Sequence, residues 1–337
     1  MGNCVSNSKF QLENNALSYN TDNGKSTKFR RDCKAYLFNK KECLEFDSTS
    51  GKKNKMKKAK SKEVFRVIEG RKYHNFQDVH YFLPCDNEEI DRLTNEHFLI
   101  KCLWGRNFFS PIENLLLQGN IRILDVGCGS GTWMLEMATT FPSSFYGIDV
   151  SAIYPDTIKP QNTNFINTNI LRGLPFSDSK FDYIHHRFLL HSIPDRPFKR
   201  LVLPELLRVT GFGGFLEFVE ADIECINAGP LLQNLASEYA QFLGSKGITL
   251  KPIDIGDLLV KTGSIKNIRH LQHIIPMGKR AGTLGNLAAE NQCRIWKSLQ
   301  SVLAPFMNYT KEEYGKMVDT IFTTEINEYE SCILMHR

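Results

Sequence analysis

The 337-residue chain has a mass of 38.6 kDa and 42% hydrophobic residues, enough for one large α/β domain or two modest ones and too apolar for disorder throughout. Its net charge of +5 is uneven: residues 1–70 hold 16 basic against 8 acidic side chains and residues 71–337 hold 26 against 29, so the body gives no compositional reason to expect a nucleic-acid partner. No apolar run reaches 18 residues, the nine Cys form no CxxC pair, and the start MGNCVS lacks a secretory apolar stretch; these argue against a spanning helix, a disulfide scaffold and a signal peptide, and for a reducing intracellular setting.

The first residues carry a different signal. With Met1 removed, Gly2 becomes an N-terminal glycine with Ser6 at the position favoured for myristoylation, and the Cys4 thiol two residues on suits palmitoylation. One myristoyl chain binds a membrane only marginally, so a second element is needed. Besides Cys4, the run GKKNKMKKAKSK at 51–62 supplies seven Lys and no acid, suited to an anionic leaflet. The expectation is an acylated, polybasic tail over 1–63, disordered because it is polar and poor in apolar residues, holding the protein at the cytoplasmic face of a membrane. The alternative is a solvated linker or nuclear-import patch, with the protein in cytoplasm or nucleus.

Order is expected from about Val64. Residues 86–104 place Ile90, Leu93, His97 or Phe98, and Ile100 or Leu103 at helical spacing behind a capping Asp86 or Asn87, and Pro111–Leu117 reads as a second helix stopped by Gly119. Strand and helix then alternate: strands at 121–126, 144–150, 163–167, 180–186 and 213–221, helices at Thr132–Phe141 and Pro197–Val209. Such alternation predicts a mostly parallel sheet covered by helices. Helices follow at 231–243, 284–303 and 311–322, with strands at 268–274 and 329–336.

Chemistry concentrates where the first of these parallel strands ends. ILDV runs into Gly127-Cys128-Gly129-Ser130-Gly131-Thr132 and then an apolar helix; alternate glycines permit a tight turn and close approach of a ligand, while the helix start offers unpaired N–H groups. The spacing is G-x-G-x-G, not the G-x-G-x-x-G of a dinucleotide fingerprint. Asp125, two residues before the first glycine, is placed to orient the loop or reach an ammonium-bearing ligand. Asp149 ends the next strand in GIDVS, where a carboxylate can accept both hydroxyls of a ribose.

These segments resemble the class I S-adenosylmethionine-dependent methyltransferases: ILDVGCGSGTW (123–133) matches their glycine motif, GIDVS (147–151) their acidic motif, and 167–193 and 201–220 the motifs that follow, with Gly211-Phe212-Gly213-Gly214 in place of the usual Lys-Pro-Gly-Gly turn. Within that superfamily the chain is most similar to fungal velvet-complex LaeA-like methyltransferases, the phrase YFLPCDNEEIDRLTNEHFLIK (81–101) resembling their pre-core helix. The resemblance implies an α/β, Rossmann-like, seven-stranded and mostly parallel sheet with N-terminal helices and a helical insertion. The implied organisation is a helical extension over 64–120 and a methyltransferase domain over 121–337, with a substrate lid around 230–323. It further implies S-adenosylmethionine as cofactor. Gly127, Gly129 and Gly131 would line its methionine part, Asp149 would hold the ribose, Val150 would flank the adenine, and Asn169 and Ile170 would bond the ring. His186 or Arg187 would lie near the sulfonium or carboxylate, and Tyr81 would close over the ligand.

The sulfonium already activates the methyl group, so the protein has mainly to align an acceptor and exclude water, and no metal cluster is expected. If the acceptor needs deprotonation, topology places His186, His191 and Glu220 at the C-terminal rim of the sheet as candidates; the plainer reading of each is a polar strand-end or loop residue. The leading expectation is a methyltransferase acting on an unidentified small-molecule, lipid or protein acceptor. The other is a catalytically silent adaptor that keeps the fold to bind a regulatory protein, or is itself a regulatory protein, at a membrane or in the nucleus.

Overall fold

The computed structural model describes residues 65–76 and 79–337. The described chain opens with a hairpin, β1 (Phe65–Ile68) and β2 (Arg71–His74), turned by Glu69 and Gly70 at positive φ. This hairpin was not expected from the sequence, because its alternation is short and its partner strand is only four residues long. Helix α1 (Asn87–Trp104) starts as expected: Asp86 caps it by accepting the Glu89 N–H at 3.1 Å, and Gly105 ends it in the left-handed conformation. Asp86 also receives Arg71 at 2.7 Å, which ties the hairpin to the helix start. The short α2 (Glu113–Gln118) ends at Gly119.

The core sheet then builds through β3 (Arg122–Val126), α3 (Thr132–Thr140), β4 (Ser144–Asp149), β5 (Thr163–Asn167), β6 (Phe181–Arg187), α4 (Leu203–Val209) and β7 (Thr210–Ala221). After it come α5 (Pro230–Gly244), α6 (Asp254–Lys261), β8 (Gln272–Pro276), α7 (Gly282–Ser298), α8 (Gln300–Phe306), α9 (Lys311–Thr320) and β9 (Cys332–His336). Leu299 separates α7 from α8 where the sequence suggested one helix, and α6 was not foreseen because its apolar stripe spans barely two turns.

The seven strands lie in the order β5-β4-β3-β6-β7-β9-β8, with β3 to β7 parallel and β9 antiparallel to both β7 and β8. This is the Rossmann-like, seven-stranded, mostly parallel sheet expected for class I methyltransferases. Chain direction across the sheet reverses beside β3, whose neighbours are β4 on one side and β6 on the other. Crevices for ligands open at such a switch point beyond the carboxyl ends of the strands. The interior strand β3 reads as a continuous apolar run because both faces are covered: Ile123 packs with Trp133, Met134 and Phe145, while Leu124 and Val126 pack with Ile184, Phe198 and Leu206. A third apolar cluster joins α1, α5, α7, α8 and α9 over β7 and β9.

The membrane assignment is corrected by this architecture. No helix among the described residues is long and apolar enough to cross a membrane. The longest, α1, carries Glu88, Glu89, Asp91, Arg92, Glu96 and Lys101 among its 18 residues, a composition that hydrocarbon would reject. This overturns the expected anionic-membrane partner, lipoprotein character and place at the cytoplasmic face of a membrane. Gly2, Cys4 and the lysine run lie outside the described residues.

Candidate functional site

The three glycines of the loop between β3 and α3 have φ of 67°, 55° and 75°. A Cβ at Gly127 would sit 2.5 Å from Leu189 Cδ1 and one at Gly131 would sit 2.7 Å from the Phe165 ring, so both positions need glycine for space as well as conformation. At Gly129 the nearest atom is 3.5 Å away; there the backbone conformation alone demands glycine, and the loop is left open for a ligand.

Asp149, at the end of β4, pins this loop. Its Oδ2 accepts the Gly129 N–H at 2.9 Å and its Oδ1 accepts the Ser151 N–H at 2.7 Å. Each carboxylate oxygen has a second lone pair, so these bonds leave acceptor capacity for two hydroxyls. Burial pushes the carboxyl up to about 6, although the Ser151 and Gly129 N–H groups pull it down. Val150, Asn169 and Ile170 line the cavity beside it. The Asn169 side-chain oxygen accepts the Leu171 N–H at 2.9 Å and so caps the short turn Ile170–Arg172.

Asp125 also lines the cavity but is engaged from below: its Oδ1 pairs with His185 Nδ1 at 2.8 Å, and the His185 ring stacks on Trp133 with centroids 3.9 Å apart. Burial pushes Asp125 up to about 7, against the charges of Arg187, His97 and His186. Burial likewise drives His185 well down.

Strand alternation separates the two residues that the sequence offered as alternatives at the end of β6. Arg187 faces the cavity; its Nη1 lies 3.4 Å from His97 Nδ1, and it makes no carboxylate ion pair among the described residues. His97 is itself fixed by Glu136 at 2.6 Å, and Glu136 also holds Lys101 and Asn107. His186 turns to the opposite face, where it packs on Phe218 with its Nδ1 3.2 Å from Glu220 Oε1. Glu220 accepts the Leu189 and Leu190 N–H groups at 3.1 and 3.3 Å, so it positions the loop after β6, and neither His186 nor Glu220 lines the cavity. His191 does line it, edge-on to Tyr239, and burial lowers its pKa while Glu220 and Asp222 raise it. Tyr81 lines the cavity near Asp149, its carbonyl 2.9 Å from His74 Nε2.

A polar cluster in the cavity wall was not foreseen. Arg92 reaches Glu89 at 2.7 Å, Glu96 at 2.8 Å and Asn291 Oδ1 at 3.2 Å, and Asn291 donates to Glu96 at 2.9 Å. With Glu89, Arg92 and Glu96 at 1%, 3% and 8% exposure, these are interior charges rather than the solvated ion pairs that i, i+3 and i, i+4 spacing usually signals. The sequence hid this because the covering residue, Asn291, comes from α7, some 200 positions away.

The cavity has a volume of about 310 Å³. Its β3–β4–β5 half carries the glycine loop, Asp149, Val150, Asn169 and Ile170; its β6–β7–β9 half is walled by α1, α5 and α7. Residues 123–214 match the family model described as "Methyltransferase domain". Among curated proteins, "Secondary metabolism regulator laeA" of Coprinopsis cinerea is 32% identical over 158 residues, covering 45% of this chain and 38% of its own. "N-methyltransferase verN" of Clonostachys rogersoniana is 29% identical, with 47% and 58% covered. "N-methyltransferase sirN" of Leptosphaeria maculans is 28% identical over 264 residues, 72% of this chain and 91% of its own. The chain thus spans less than two thirds of the laeA and verN proteins it matches. Among solved structures, a SAM-dependent methyltransferase from Aquifex aeolicus aligns at 22% identity and TM-score 0.38 over 58% of this chain and 94% of its own.

Proposed function

We propose that this chain, related to the class I S-adenosylmethionine-dependent methyltransferases of fungi and bacteria, binds S-adenosylmethionine in the β3–β4–β5 half of the cavity and transfers its methyl group to an acceptor in the β6–β7–β9 half. The observation that carries this reading is the glycine loop pinned to Asp149: a backbone cradle with one open glycine, and a half-buried carboxylate whose remaining lone pairs suit a vicinal diol. Arg187, half-buried and without a carboxylate ion pair among the described residues, suits the carboxylate of an amino-acid moiety. The bound cofactor supplies an already electrophilic methyl group. What remains for the chain is to orient the acceptor, exclude water and take up a proton where the acceptor must lose one. Of the three candidate bases, His191 is the one on the cavity wall, and its depressed basicity keeps it neutral and able to accept that proton.

Within the superfamily we assign the chain to the neighbourhood of the LaeA-like proteins, supported by matches of 31–38% identity to several proteins of that name, although the matches to N-methyltransferases extend over more of their length. A second reading is favoured by those same names: most of the matched laeA proteins are described as regulators of secondary metabolism. In that reading the chain is a regulatory protein that keeps the cofactor pocket. The burial of His186 and Glu220 against each other, away from the cavity, is consistent with it. Titration calorimetry with S-adenosylmethionine and S-adenosylhomocysteine tests both. One-site binding of each is expected, and absence of binding by the folded protein overturns the methyltransferase reading. Binding without any S-adenosylhomocysteine production across a panel of amine, hydroxyl and thiol acceptors favours the regulator.

A further inference from the structure

We infer that the β6–β7–β9 half of the cavity is a preformed chamber for an uncharged, largely apolar small molecule bearing one hydrogen-bonding group, so that the acceptor is a ring-containing metabolite rather than a charged side chain presented by a protein. The inference rests on the methyltransferase reading only for the identity of the neighbouring ligand.

The wall of this half comes from elements distant in sequence. Leu99 and Leu103 face it from α1, Tyr239 from α5, Ala288 and Trp296 from α7, and Met335 from β9. Most of these belong to the largest apolar cluster of the protein, and a packed core is the ordinary role for such residues. Here they border open space. Tyr239, Leu103 and Ile223 stay only partly buried although helices enclose them, and their unburied surface faces the cavity. Tyr239 is the most informative. Its ring is held edge-on by Trp296 at 5.5 Å and by His191 at 6.3 Å, and its hydroxyl makes no hydrogen bond among the described residues. A tyrosine hydroxyl enclosed by apolar side chains normally finds a partner, and a ligand atom would provide one.

Arg187 and Asp149 belong to the cofactor half, and the ionisable groups on the wall of this half already have neighbours. Arg92 is hydrogen-bonded to Glu89 and Glu96, Asn291 also donates to Glu96, and Asp222 lies 3.1 Å from His336 Nε2. A lysine or arginine acceptor would have to give up its water against apolar walls, with Glu96 already held by Arg92 and Asp222 already beside His336. An aromatic or aliphatic ring meets Leu99, Trp296 and Met335, and its polar atom meets Tyr239 and His191. Apolar walls with a few convergent polar groups are the usual character of small-molecule sites.

The test uses the full chain and the uncharged fluorophore N-phenyl-1-naphthylamine, with cofactor-site occupancy followed separately by calorimetry with S-adenosylhomocysteine. Saturable, one-site fluorescence enhancement is expected in protein already saturated with S-adenosylhomocysteine. Ala288→Trp, which fills the chamber, is expected to weaken the fluorophore at least tenfold while S-adenosylhomocysteine affinity changes less than twofold. Leu103→Trp, at a less buried point of the same wall, is expected to act in the same direction and covers the case in which Ala288→Trp does not fold. No fluorophore binding by the S-adenosylhomocysteine-loaded protein overturns the inference. So does competitive displacement by S-adenosylhomocysteine, or binding indifferent to both substitutions. Failure of S-adenosylhomocysteine to bind in calorimetry overturns the premise itself and is read independently of the fluorophore.

Discussion

Replacing Asp149 should weaken cofactor binding in a pH-dependent manner whose size follows from the geometry. The carboxylate holds the glycine loop through the Gly129 N–H and keeps lone pairs free for ribose hydroxyls. A hydrogen bond to a charged group is worth about 1.5–3 kcal/mol, so Asp149→Ala should raise the dissociation constant for S-adenosylhomocysteine roughly 10- to 150-fold at pH 7.5. Because burial has pushed the carboxyl up to about 6, lowering the pH to 5 leaves only about a tenth of it ionised, and wild-type affinity should fall about tenfold from this group alone. The stability of the ligand-free protein moves the other way. A folded-state value of about 6 against 3.8 unfolded means that the folded protein binds more protons between those values, so the Asp149 contribution declines as pH rises from about 4 to 6. Asp125, raised to about 7, adds its own pH dependence, so the diagnostic quantity is the difference between wild type and Asp149→Asn. Calorimetry at pH 5, 6 and 7.5 measures it. Equal affinity in the variant, or the same pH profile in both proteins, would refute the assignment.

Arg92→Met should destabilise the protein by about 3–5 kcal/mol in urea denaturation, since it strands the buried Glu89 and Glu96; a loss below about 1 kcal/mol would show that these carboxyls simply take up protons. Gly131→Ala should cost about 1–3 kcal/mol, measured by the same method, from left-handed backbone strain, with further loss from the clash with Phe165. Glu136 is held down to about 2 by His97, Lys101 and Asn107 despite burial, so its stabilisation is present above pH 4.5 and lost as pH falls toward 2. Between those values Glu136→Gln should lose stability less steeply than wild type, and parallel acid profiles would contradict this.

The alternation of strand and helix, the glycine loop and the acid after β4 were legible in the sequence because each is local. Period-2 and period-3.6 patterns, a run of alternate glycines and a strand-end aspartate are fixed within about ten residues. Equally legible were the cap of α1 and the stop after α2, both of which depend on single side chains at the helix ends. Which face each strand-end residue occupies depends on how the strands pair. Arg187 and His186 are neighbours in the chain, yet only the register of β6 with β3 and β7 sends the first into the cavity and the second against Glu220. The tertiary packing also makes Glu89, Arg92 and Glu96 an interior cluster, since burial depends on α7, and turns Tyr239 toward a chamber rather than a packed core. The separation follows from the range of the forces: hydrogen-bonded turns and caps act between near neighbours, whereas burial and desolvation depend on what the distant chain brings alongside.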